Sequence, residues 1–151
     1  MTIITNDEPE MGPVDMIVIG FPPDAPRTGE AIPLFLDLVD RGIVRVLDVL
    51  VVQRDDGGNV TRLEIDGLAG TVLASVAVFD GAQTGLLGDD DAAVAGEALE
   101  PGEAAVLICF ENRWAAPFIA AVRRNGGRLL AAQRIGAQEL LDTIQTLDAV
   151  A

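Results

Sequence analysis

Histidine, lysine and tyrosine are missing from this 151-residue chain, and cysteine and tryptophan occur once each. Without histidine there is no Ser-His-Asp triad, no Cys-His pair and no imidazole ligand for a metal. Without lysine there is no Schiff base and no phosphate-binding lysine of the P-loop kind. A lone Cys109 rules out an internal disulfide; inside an apolar run it reads as a buried, inert thiol. Bases are scarce as well: ten arginines face 24 acids, a formal net charge of −14. Such a surface repels phosphate backbones and anionic membranes, so nucleic acid is not an expected partner. No transition metal or other cofactor is expected either, and no catalytic constellation is recognisable, so the chain reads as a non-enzyme. The segment 1–13 carries Asp7, Glu8 and Glu10 and lacks the basic start of a secretion signal. The longest apolar stretch, Leu68–Phe79, falls short of the roughly 20 residues that span a bilayer. A soluble, cytoplasmic protein is the expectation.

What the chain does have is apolar bulk, 50% of its residues, with only 4% aromatic. The core must therefore be built from Val, Leu, Ile and Ala. Two stretches read as one unit written twice. Val14–Phe21 is an apolar run of strand length, consistent with burial on both faces. The prolines of 22–26 force a loop. A helix follows to Arg41, with Ile32, Phe35, Leu36 and Val39 at helical spacing and Gly42 as the stop. Val44–Arg54 is a second strand. In the second unit, Ala104–Phe110 is a strand, Trp114–Arg124 a helix, Asn125-Gly126-Gly127 a break and Arg128–Arg134 a closing strand. Both units end in Gln-Arg.

Two interleaved β-α-β units predict an α+β, ferredoxin-like plait, one sheet with its helices on one face. Asp55-Asp56-Gly57-Gly58 reads as a hairpin turn leading to a third strand, Val60–Ile65, beside 44–54. Ala137–Leu147 is an amphipathic terminal helix, with Leu140, Leu141, Ile144 and Leu147 on one face. Residues 1–12 read as a flexible acidic tail, and 13–151 as one domain with a helical insertion at about 66–102.

Within the insertion, Ala69, Val72, Leu73, Val76 and Phe79 form an apolar helical face. Three destinations are open to it: the core, a second subunit, or a membrane. Small residues on its other face would allow close helix approach. Asp89-Asp90-Asp91 could suit a hard cation, but acids at a helix start already match the helix dipole. The most distinctive run is Glu111-Asn112-Arg113-Trp114-Ala115-Ala116-Pro117-Phe118, at a strand-to-helix junction. Glu111, Asn112, Arg113 and Trp114 there could receive a small anionic ligand. The plainer reading has Asn112 capping the helix while Trp114 and Phe118, one turn apart, bury together.

Met11-Gly12-Pro13-Val14-Asp15, Thr28-Gly29-Glu30, Arg45-Val46-Leu47-Asp48, Leu99-Glu100-Pro101-Gly102 and the run from Glu111 to Phe118 resemble an uncharacterised bacterial family of domains of unknown function. That family is similar in turn to small stress-associated proteins with a Gly-rich central segment. The resemblance carries no established activity and no functional residue. Residues 68–79 lack the long glycine zipper of the membrane-like group, so stable membrane insertion is not expected. The sequence therefore points first to a non-catalytic, self-associating homo-oligomer, and second to a small-ligand or regulatory module near Arg113 and Trp114.

Overall fold

The computed structural model describes residues 11–24, 30–68, 74–131 and 137–150. Strand β1 (Val14–Phe21) leads into helix α1 (Ala31–Asp40), which carries Pro33 in its first turn, where a missing N–H is harmless. Gly42, at φ 71°, turns the chain out of α1 into β2 (Arg45–Arg54). A tight hairpin then reaches β3 (Val60–Leu63). Asp55 closes the hairpin by accepting the Asn59 amide at 2.8 Å, and that bond is the main reason its carboxyl sits below the ordinary aspartate range. Two 3-10 segments (Ile65–Leu68 and Ala74–Ala82) precede α2 (Asp89–Glu97), β4 (Ala104–Glu111), α3 (Ala116–Arg124) and α4 (Ala137–Val150).

The four strands form one antiparallel sheet in the order β1-β4-β2-β3. The second unit's first strand, β4, thus inserts between the two strands of the first unit, and β3 extends the sheet beside β2, as expected. The duplicated plait is not closed, however. Residues 128–131 form no strand, and the rest of the expected strand lies outside the described residues. Residues 1–10 also lie outside them. Gly12, expected to be part of a tail, is buried and belongs to the fold.

Helices do not keep to one face. β2 and β4 are apolar on both faces, and each face demands cover. On one side Val49, Val51, Val106, Ile108 and Phe110 pack with Ile65, Leu68, Val76 and Phe79, and with the partly buried face of α1. Phe35 of α1 meets Phe79 and Phe110 edge-to-face, at centroid distances of 6.1 and 5.6 Å. On the other side Leu50, Val52, Ala105, Leu107 and Cys109 pack with Leu87, Ala92, Ala95 and Leu99 around α2. There Gly96 allows a close crossing, since a Cβ would lie 2.5 and 2.7 Å from the Val60 methyls.

β4 is buried at all eight positions. β1 is not the doubly covered strand its apolar run suggests. It is a sheet edge, and Val14, Met16 and Val18 on one face are 45–47% exposed. An unbroken apolar run cannot distinguish a covered strand from one whose second face is open. No helix among the described residues is long and apolar enough to cross a membrane.

Candidate functional site

The run from Glu111 to Phe118 starts at the last residue of β4. Glu111 is 3% exposed, and its carboxylate is fully engaged. One oxygen accepts the Arg45 Nε–H at 3.0 Å, and the other accepts the Gly12 amide at 2.9 Å. Gly12 must be glycine, because a Cβ would run into the Asn112 carbonyl oxygen. The chain entering β1 is thus clasped to the end of β4.

Asn112 does not cap the helix. Its side-chain amide donates to the Pro13 carbonyl at 3.0 Å and to Asp15 Oδ2 at 2.9 Å. Its carbonyl oxygen accepts the Trp114 indole N–H at 3.3 Å, and its backbone N–H donates to Pro13 at 2.8 Å. With the Asn112 side chain spent on β1, a 3-10 turn (Arg113–Ala115) starts the helical segment, and Pro117 follows in the first turn of α3.

The structure overturns the burial expected for the two rings. Trp114 is 64% exposed and Phe118 67% exposed. The inward positions of this segment belong to Ala115 and Ile119 instead, one residue further along, so the rings point outward. The four candidate ligand residues therefore divide. Glu111 and Asn112 are structural ties, while Arg113 and Trp114 are presented at the surface. Trp114→Ala should then change stability by less than about 1 kcal/mol. The isolated chain's emission should be red-shifted and freely quenched by acrylamide; blue-shifted, protected emission would contradict the placement.

Of the apolar face in the insertion, Ala69, Val72 and Leu73 lie outside the described residues. Val76 and Phe79 are 1% and 4% exposed, inside the chain's own core, so neither offers a surface to a second subunit. Asp89, Asp90 and Asp91 open α2 as dipole-matched caps. Asp91 accepts the Gly88 amide at 2.9 Å, and Asp89 pairs with Arg62 at 3.0 Å. Among the described residues no group of His, Cys, Asp and Glu could hold a metal ion.

Asp48 is a buried carboxylate that the sequence pattern does not single out. It sits at a bulge in β2 and accepts the backbone amides of Val49, Thr84 and Leu87 at 2.9, 3.1 and 2.7 Å. Its signal in the sequence is an acid inside an apolar strand. Burial, and then the charges of Asp48 and Asp91, push the Cys109 thiol up, which disfavours the reactive thiolate.

These features define a small α/β protein whose buried acids are committed to backbone amides and an arginine, and whose exposed apolar residues include one sheet edge, one helix stripe and one aromatic pair. Residues 10–149 match DUF6325, a family of unknown function, and the chain belongs to that family. No curated protein and no solved structure matches it.

Proposed function

We propose that the protein is a non-catalytic, self-associating protein of the cytoplasm that works as a homo-oligomer, with a stress-related role as the family resemblance implies. The observation that carries this reading is α4. Leu140, Leu141, Ile144 and Leu147 form an apolar stripe and are 45–66% exposed, on a helix exposed along its described length. In a chain of net charge −14, a continuous apolar stripe needs a covering surface. The commitment of Asp48 and Glu111 to structural bonds supports the non-catalytic part, because neither carboxylate is open to a substrate. Sedimentation or native mass determination tests the reading. A species larger than the 15.8 kDa chain is expected at micromolar concentration, and a strict monomer would overturn it.

The exposure of Trp114 beside Arg113 favours a second reading, a module binding a small anionic ligand there. A thermal-shift screen of anionic metabolites, read alongside Trp114 fluorescence, tests it. A hit that Trp114→Ala abolishes without changing the melting temperature would establish it.

A further inference from the structure

The two edges of the sheet are built differently. β3 is four residues long, and its Arg62 pairs with Asp89. Short length and charge are the usual devices that keep an edge from recruiting another strand. β1, the opposite edge, is long and carries a single charge. It runs for eight residues without proline, and its register with β4 is continuous from Val14↔Glu111 to Phe21↔Ala104, with no bulge. Its one charge is Asp15, which accepts the Asn112 amide. No strand lies on its outer side among the described residues.

We infer that β1 is a homodimerisation strand. Two copies pair β1 to β1, antiparallel across a two-fold axis, and join their sheets into one of eight strands. This rests on the self-association proposed above and names its surface. A two-fold axis perpendicular to the sheet keeps equivalent residues on the same face, so the interface is self-complementary and closed. Val14, Met16 and Val18 of both copies then form one apolar platform at the centre, on the face where α2 packs chiefly against β2, β3 and β4.

The platform still needs a cover, and the chain supplies a matching one. α4, at 14 residues, is about 21 Å long, close to the roughly 27 Å of an eight-residue strand. Two α4 stripes laid over two β1 faces would add to the area buried at the seam, where a stable interface needs at least about 1,200 Å².

Charge selects the same surface. Each copy carries −14, so copies repel least where they meet through a strip of low charge; β1 is such a strip, and its one charge, Asp15, is held by the Asn112 amide. Screening should therefore tighten the dimer.

The test compares the wild-type chain with Met16→Lys/Val18→Lys, and with Thr61→Lys on β3 as a control, by sedimentation at low and high salt. The replaced β1 residues are half-exposed in the single chain, so the monomer should keep its circular dichroism spectrum. We expect a wild-type dimer that tightens with salt. In the β1 variant the dissociation constant should be at least about 100-fold weaker, tenfold for each of the two positions replaced. The β3 variant should match the wild type. Hydrogen exchange should show the β1 amides that point away from β4 protected in the dimer and released on dilution.

A wild-type monomer would overturn both this inference and the self-association reading. An oligomer indifferent to the β1 variant, or weakened by salt, would overturn the β1 inference alone. So would outward-pointing β1 amides that stay protected in a dilute monomer, since the chain's own residues would then fill the edge.

Discussion

Asp48→Ala is expected to destabilise the protein by about 3–5 kcal/mol, enough to threaten a domain whose whole stability is about 5–15 kcal/mol. The side chain is 3% exposed and serves three backbone N–H groups. Two of them, on Thr84 and Leu87, belong to the loop that closes one side of the core. Alanine would leave these donors without their acceptor, at about 1–3 kcal/mol for each that stays buried. The loop would also lose what seats Leu87 against Leu50 and Leu107. The hydroxyl of Thr84 donates to the Leu47 carbonyl at 2.7 Å, and Gln83 donates to Val49, so the loop keeps partial anchorage. Asp48→Asn retains one acceptor oxygen and should cost less than alanine. Chemical denaturation of both variants checks this; an alanine variant within about 1 kcal/mol of wild type would show that the amides find other partners.

Val76→Asp should abolish cooperative folding. Val76 is 1% exposed and packs in the cluster that contains Val49, Val106 and Phe110. A carboxylate there would have to shed its hydration with no partner, or be held protonated; either way the cost is several kcal/mol. Helical spacing alone admits a different outcome, loss of assembly with the fold intact. Burial removes that outcome for Val76. Circular dichroism and a thermal melt decide, and a variant that melts like the wild type would contradict the core placement.

How much of this is readable in the sequence depends on what each signal encodes. β1 and the ends of β2 and β4 follow closely from apolar runs bounded by Pro, Gly and charge. The hairpin follows from Asp-Asp-Gly-Gly, and α4 from its spacing. Which strand becomes an edge does not follow, because Val14–Phe21 and Ala104–Phe110 are equally apolar and only pairing tells them apart. Val72, Leu73 and Val76 suggest one apolar helix in the insertion; over Ala74–Ala82 it is a 3-10 segment buried by Val76 and Phe79. At the candidate site, Trp114 and Phe118 both face solvent rather than the sheet. Spacing shows that two residues share a face, not which way it points. The roles of Asp48 and Glu111 depend on amides distant in sequence, at Leu87 and at Gly12, and local pattern carries no trace of such bonds.

The clasp between Gly12 and Glu111 has a consequence for how the protein is made. Its two halves lie 99 residues apart, and among the described residues β1 has no sheet partner but β4. On a ribosome adding about 5–20 residues per second, β1 emerges roughly 5–20 s before the strand that must accept it. Until then β2 has only the short β3 beside it, and the apolar run of β1 has nothing to pair with. Sheet assembly is therefore a late, nearly all-at-once event that awaits residue 111, and it is during that interval that the nascent chain most needs protection from its neighbours.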